Sequence, residues 1–212
     1  MTLLAYLPTH SNAETKIDLS YYFDSRDFNT FAFFIQNPKL GDDFSLWGFS
    51  DFHSAQNNKN KQFQIDRTFS EYRLSHSKLS DWTGIKGLGL QIEYDYSTPS
   101  NSQVWRAGLT YQLPASKRLK AQLRLFPAQN TRDEQVSLGY FYKITDEINI
   151  TGFADYNLRE DKKNQWVIEP QLNYKLAKDI GLIVEYRYNG FERDNPNLDG
   201  SGWAIGIKWK VL

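Results

Sequence analysis

The fold is decided by one stretch near the C-terminus, in which large apolar residues alternate with small or basic ones: Trp203-Ala204-Ile205-Gly206-Ile207-Lys208-Trp209-Lys210-Val211. Successive side chains of a β-strand point to opposite faces of the sheet. The tryptophans, isoleucines and Val211 therefore share one face, and Lys208 and Lys210 share the other. This alternation predicts a strand that separates an apolar environment from a polar one.

The same alternation recurs in about twelve short segments between residue 17 and the C-terminus. It is clear from residue 85 onward, for example in the run from Leu182 to Tyr188. Phe28 to Ile35 and Phe44 to Phe52 carry aromatic residues on both faces, so the pattern does not assign an inner face there. Helix-period segments, internal repeats and Pro/Gly-rich linkers are absent from the sequence, which predicts a single all-β domain.

The connections between these segments alternate in length. The tight ones are Pro114-Ala115-Ser116-Lys117, Thr145-Asp146-Glu147 and Ala177-Lys178-Asp179. Those between them are longer and more polar: Ser97 to Gln103, Pro127 to Glu134, Arg159 to Gln165 and Asn189 to Ser201. Barrels of the Gram-negative outer membrane have short periplasmic turns and longer outer loops. The sequence therefore predicts a closed antiparallel transmembrane β-barrel of about twelve strands, located in the bacterial outer membrane.

Composition supports a barrel and excludes several other classes of protein. Aromatic residues make up 16% of the chain, yet the mean hydropathy is −0.61, as expected when only alternate residues meet lipid. The chain has no cysteine, which excludes disulfides and thiolate metal sites. It has 25 basic and 25 acidic residues, a balance that does not favour nucleic-acid binding.

The N-terminus is typical of the end of a secretory signal. An apolar run from Leu3 to Leu7 is followed by the small residues of Ser11-Asn12-Ala13. We expect residues 1–13 to be the remnant of a signal peptide that is cleaved after Ala13, and residues 14–212 to form the barrel domain. His10 then belongs to no site of the mature protein.

Tyrosines and tryptophans lie near the ends of the predicted strands. Because amphipathic rings favour the headgroup level of a membrane, they predict two aromatic girdles. The expected girdle residues are Tyr21, Trp47, Tyr96, Trp105, Tyr111, Tyr142, Tyr156, Trp166, Tyr174, Tyr188, Trp203 and Trp209.

The polar face of each strand must line the lumen if the apolar face meets lipid. The candidate pore-lining and solute-contacting residues are Arg67, Glu71, Arg73, Glu93, Arg106, Lys120, Arg124, Lys143, Asp155, Glu169, Lys175, Glu185, Arg187 and Lys208. Candidate aromatics for stacking against a solute are Trp47, Phe49 and Phe69. Each charge alone is expected to pair across strands, whereas together they set what a pore admits. Glycines on the polar face, such as Gly89, Gly108 and Gly206, predict open space inside the wall.

Catalytic chemistry finds little support in the sequence. His53, Ser54 and Asn57 offer the residue types of a hydrolase, but we expect them to be neighbours in a polar loop. A metal-ligand cluster, a phosphate-binding glycine loop and a nucleophile elbow are missing from the sequence. We expect a protein that is not an enzyme and that uses no cofactor or metal. A soluble ligand-binding barrel remains as an alternative.

Two segments, Leu46 to Phe52 and Phe69 to Leu74, resemble the early strands of the nucleoside-specific channel-forming (Tsx-like) outer-membrane proteins. That resemblance implies a twelve-strand channel for nucleosides and related small solutes. Length and strand number are also similar to the oligogalacturonate- and sialic-acid-specific porins, whose lumens imply a basic track for acidic sugars.

The function expected from these observations is selective diffusion of small polar solutes, nucleoside-like by resemblance. The alternatives are a porin for acidic oligosaccharides and, less favoured, an outer-membrane hydrolase. The expected partners are a small-molecule solute, outer-membrane lipid and lipopolysaccharide, with no nucleic acid, and the channel is expected to be a monomer.

Overall fold

The computed structural model of the chain describes residues 14–212 except 38, 42, 58–63, 99, 132, 161 and 194–199, so the predicted leader lies outside the described residues. The strands are β1 (Lys16–Asp24), β2 (Phe28–Asn37), β3 (Phe44–Ala55), β4 (Arg67–His76), β5 (Leu88–Ser97), β6 (Ser102–Gln112), β7 (Leu119–Gln129), β8 (Glu134–Lys143), β9 (Ile148–Leu158), β10 (Gln165–Lys175), β11 (Ile180–Asn189) and β12 (Gly202–Lys210). The helices are α1 (Leu79–Thr83) and a 3₁₀ turn (Gly190–Arg193).

Every strand pairs antiparallel with its neighbours in the chain, and β1 also pairs with β12, which closes the sheet into a barrel. The closing register joins Leu19 to Trp209 and Phe23 to Ile205. Closure satisfies the backbone hydrogen bonds of both terminal strands, as a membrane-spanning sheet requires. The predicted closed antiparallel barrel of twelve strands is confirmed.

Because the strands are antiparallel, the connections fall at two ends of the barrel. We call the end with residues 113–118, 144–147 and 176–179 the turn side, and the opposite end the loop side. Two loop-side connections are shorter than predicted, since β6 begins at Ser102 and β7 continues to Gln129. Some polar residues that were predicted to lie in loops are therefore the end residues of β6 and β7.

The turn side carries the long connection between β4 and β5, which holds α1. The ring centroid of Trp82, in α1, lies 5.7 Å from that of His76. The ring centroid of His76 lies 4.7 Å from that of Phe44. His76 therefore ends β4 on the outer face of the barrel. No helix among the described residues is both long and apolar enough to cross a membrane.

The barrel buries polar side chains and exposes large apolar ones. Ile205 is 59% exposed in the middle of β12, whereas Glu185 on β11 and Gln171 on β10 are 1% exposed. A water-soluble domain places these classes the other way round. The wall thus faces an apolar solvent on its outside and encloses a largely polar interior.

Aromatic pairs form a belt on the outer face at the loop side. Ring centroids lie 4.4 Å apart in Tyr94–Trp105, 4.6 Å in Tyr156–Trp166 and 4.8 Å in Tyr186–Trp203, each pair directly cross-strand. Trp105, Tyr156, Trp166 and Trp203 belong to the predicted girdle residues, whereas Tyr94 and Tyr186 were not among them. Trp47 does not belong to this belt, because its ring packs among inner-face aromatics.

The inner-face glycines do not open the lumen as predicted, since neighbouring groups occupy the space above them. A Cβ on Gly206 would lie 2.5 Å from the Tyr22 ring, and one on Gly108 would lie 1.9 Å from the Leu125 carbonyl oxygen. Gly108 sits at a register shift between β6 and β7, so it permits a close approach of two backbones.

Candidate functional site

The inner wall follows from the alternation of burial along each strand. In β2, Phe28, Thr30, Ala32, Phe34 and Gln36 are buried and their neighbours less so, which assigns the face that the sequence left open. The corresponding face of β3 carries Trp47, Phe49, Asp51 and His53. The first three strands therefore add both aromatic and polar groups to the interior.

A central ion cluster spans β4, β5 and β6. It consists of Glu71, Arg73, Glu93, Asp95 and Arg106. The two oxygens of Glu93 accept hydrogen bonds from Arg73 Nε and Arg106 Nη1, each at 2.7 Å. Arg73 also pairs with Glu71, and Arg106 with Asp95. Four of the five predicted pore-lining charges of these strands thus join one network, together with Asp95.

The polar network continues around the wall into β7, β8 and β9. Arg106 Nε donates to Gln129 at 3.1 Å, and Arg124 donates to the Ser137 hydroxyl through Nε at 3.1 Å and Nη2 at 2.7 Å. The Ser137 hydroxyl donates to Asp155. Inner-face polar contacts therefore cover six neighbouring strands, from β4 to β9.

The carboxylates of Glu71, Glu93 and Asp95 offer oxygens that lie within 4.8 Å of one another, a spacing that could hold a cation. Arg73 and Arg106 already contact all three groups. Because buried charges are stable only when paired and hydrogen-bonded, the guanidinium groups supply the positive charge that these carboxylates need. The geometry fits an ion-paired wall better than a metal site.

A second polar group lies on β9, β10 and β11. Gln171 Nε2 donates to Glu185 at 2.9 Å, Asn173 Nδ2 donates to the Thr151 hydroxyl at 3.1 Å, and Arg187 lies 3.6 Å from Glu169. The predicted pore-lining residues Glu169, Glu185 and Arg187 are thereby brought together, on the other side of the barrel from the central ion cluster.

The predicted stacking aromatics lie close together. Phe49 packs with Phe34 and with Phe153 from β9, and Trp47 and Phe69 border this group. Phe49 is fully buried, and the Arg73 guanidinium covers the Trp47 ring at 4.3 Å from its centroid. Phe49 therefore offers no face to a planar solute and Arg73 covers one face of Trp47, whereas Phe69 is only partly buried.

His53 and Asp51 are buried inner-wall residues that the sequence analysis missed. His53 was expected in a polar loop, whereas β3 continues to Ala55. His53 Nδ1 lies 2.9 Å from the Thr30 hydroxyl. Ser54 follows His53 on the same strand and therefore faces the other way. The residue types of a hydrolase are present but are not arranged as a catalytic pair.

The remaining predicted residues lie near the barrel ends. Arg67 starts β4 on the loop side, with its guanidinium 5.3 Å from the Phe28 ring. Lys120, Lys143, Lys175 and Lys208 lie at the turn side. Lys143 hydrogen-bonds to Asp146 in the adjacent turn and thereby lowers the pKa of that carboxyl.

Comparison with models of known protein families gives no match, and comparison with curated protein sequences gives none either. Solved structures do match. The KdgM porin in complex with disordered oligogalacturonate is 14% identical, with a TM-score of 0.58 over 92% of this chain and 98% of that chain. The NanC porin is also 14% identical, with a TM-score of 0.59 over 92% of this chain and 100% of that chain.

The COG4313 outer membrane channel from Pseudomonas putida F1 is 9% identical, with a TM-score of 0.50 over 97% of this chain and 98% of that chain. At these identities the likeness concerns the fold. This chain therefore has the fold of small bacterial outer-membrane porins, in agreement with the predicted location in the outer membrane.

Proposed function

We propose that the protein is an outer-membrane channel for the passive diffusion of small polar solutes. The observation that carries this proposal is the distribution of side chains in a closed barrel: apolar residues cover the outside, and ionised and amide residues line the inside. Barrels of this number of strands are wider than the eight-stranded kind that side chains just fill. Because closure leaves no free strand edge, we propose that the channel acts as a monomer.

Acidic saccharides are the solute class that we favour. One structural neighbour is a porin in complex with oligogalacturonate, a carboxylated sugar chain. In this chain, lysines such as Lys175 and Lys210 are exposed at the turn-side end of the lumen and can pair with carboxylates. The ion-paired wall further inside offers hydrogen-bond donors and acceptors to sugar hydroxyls.

Nucleoside selectivity, which the resemblance implied, finds less support. A nucleobase would need an accessible aromatic face for stacking. Phe49 is fully buried and Trp47 is covered by Arg73. We therefore place acidic saccharides ahead of nucleosides.

Swelling of proteoliposomes tests the solute class. We expect digalacturonate to enter vesicles that contain the purified chain faster than maltose, a neutral disaccharide of similar size, because the lysines attract carboxylates. Uridine is the third solute, and vesicles without protein are the control. Equal entry of the two disaccharides would contradict the preference for acidic saccharides, and preferential entry of uridine would restore the nucleoside alternative.

A further inference from the structure

We infer that a ring of inward lysines at the turn-side mouth captures anions and sets the charge selectivity of the channel, an inference that rests on the proposed function. The lysine ring consists of Lys16, Lys120, Lys143, Lys175, Lys208 and Lys210. Four of these residues, Lys120, Lys143, Lys175 and Lys208, were predicted from the sequence as separate pore-lining charges. The strand directions bring them to one end.

Their positions in the strands place all six at the turn side. Lys16 is the first residue of β1 and Lys120 the second of β7, and odd-numbered strands begin on this side. Lys143, Lys175 and Lys210 are the last residues of β8, β10 and β12, which end there. Lys208 lies two residues before the end of β12.

Register assigns these side chains to the inner face. Lys16 pairs with Gln36, which is buried on the inner face of β2. Lys208 pairs with Gly181, and its Cε lies 3.9 Å from the point where a Cβ of Gly181 would stand. Gly181 shares its face with Ile183 and Glu185, which are both buried inside the barrel.

Lysines outnumber carboxylates on the inner face of the turn-side mouth. Within the first and last three residues of the described strands, Asp18 is the inner-face carboxylate on this side, and it lies opposite Lys210 in the register. In the turns, Asp146 pairs with Lys143, and Glu147 and Asp179 add two further carboxylates. The loop-side strand ends carry both signs on the inner face: Asp24, Arg67, Asp95 and Arg187. The charge of the lumen is thus asymmetric along its axis.

The lysine ring should dominate the electric field that an entering ion meets. In the central ion cluster, two arginines contact three carboxylates directly, so the cluster carries at most one net negative charge, against six positive charges in the lysine ring. Rings of charged side chains set the selectivity of pores. Screening acts over about 10 Å in 0.1 M salt and about 3 Å in 1 M salt, so the selectivity must weaken as salt rises.

Reversal potentials in planar bilayers test this inference. We expect the full chain to prefer Cl⁻ over K⁺ at about 0.1 M KCl and to lose most of that preference near 1 M. The variant K143Q/K175Q/K208Q/K210Q should lower the Cl⁻/K⁺ permeability ratio about tenfold at low salt. The matched control, K39Q/K86Q/K162Q/K163Q, removes the same charge from connections outside the inner wall and should leave the ratio unchanged.

A second variant avoids any effect on folding. Because the chain has no cysteine, K175C can be modified by a thiol reagent after the channel has inserted. An anionic sulfonatoethyl reagent, added on the turn side, should shift the reversal potential toward cation preference. A cationic trimethylammonium reagent, added to separate unmodified K175C channels, should shift it toward anion preference. K162C, on the loop side, should respond to neither reagent in this way.

The outcomes separate this inference from the proposed function. Channels that conduct but keep their ion preference after both the quadruple substitution and the anionic modification would overturn the lysine ring alone. A folded and inserted chain that conducts nothing would overturn the proposed function and the ring with it.

Discussion

Replacement of Glu93 by alanine is expected to destabilise the folded barrel by about 3 kcal/mol, because it leaves two buried guanidinium groups without their shared partner. Glu93 is 2% exposed and binds Arg73 and Arg106 through separate oxygens, each at 2.7 Å. Glu71 and Asp95 still contact these arginines in the variant, which keeps the loss near the lower end of the range for broken buried pairs. Urea unfolding in lipid vesicles, followed by tryptophan fluorescence, measures the change.

The Lys78–Asp43 pair provides the control for Glu93→Ala. It spans 2.8 Å at the barrel end, and both side chains are partly exposed to water. Asp43→Asn should change the free energy of unfolding by less than about 1 kcal/mol, as is usual for exposed ion pairs. If Glu93→Ala and Asp43→Asn lowered the free energy of unfolding by similar amounts, that result would contradict a buried network at Glu93. Glu93→Gln, which keeps the size but removes the charge, should resemble the alanine variant.

Replacement of Ile205 by arginine should cost about 2–4 kcal/mol, the penalty for a cation on the lipid face of a barrel near the bilayer midplane. Ile205 lies in the middle of β12 and is 59% exposed. In a water-soluble barrel, an arginine at this exposed position would be nearly neutral. Urea unfolding in phospholipid vesicles distinguishes these environments.

Ile180 provides a matched control, since it is also an outward isoleucine but is the first residue of β11 at the turn-side rim. Ile180→Arg should cost no more than about 1 kcal/mol, because the side chain reaches the headgroups. A neutral effect of Ile205→Arg would argue that the wall does not face lipid and would favour a soluble barrel.

The β-strands from β5 onward could be predicted because one face of each is polar. On β10 and β12, for example, Glu169 and Lys208 alternate with Leu172 and Trp209. The inner faces of β2 and β3 could not be predicted in this way, because the interior holds aromatic residues as well as charged ones. Phe49 points inward and Phe52 outward, so hydrophobicity alone does not distinguish the two faces of β3.

The candidate site was less predictable than the fold. The inward charges could be named from alternation, but their partners depend on the register, as with Arg106 and Glu93. Register is set by closure of the whole sheet and is not encoded in one strand. Asp51 and His53 share a face of β3 with Trp47 and Phe49, so the alternation of polar residues could have assigned them to the inner wall. The aromatic Phe52 on the opposite face made the two faces look alike.

Ionic conductance shows whether the closed wall of paired charges encloses a path for water. The purified chain, with a folded barrel confirmed by its heat-modifiable mobility in gels, is added to a planar lipid bilayer in KCl. We predict discrete and reproducible conductance steps. A folded, inserted chain that gives no steps would show that the barrel does not enclose an open path.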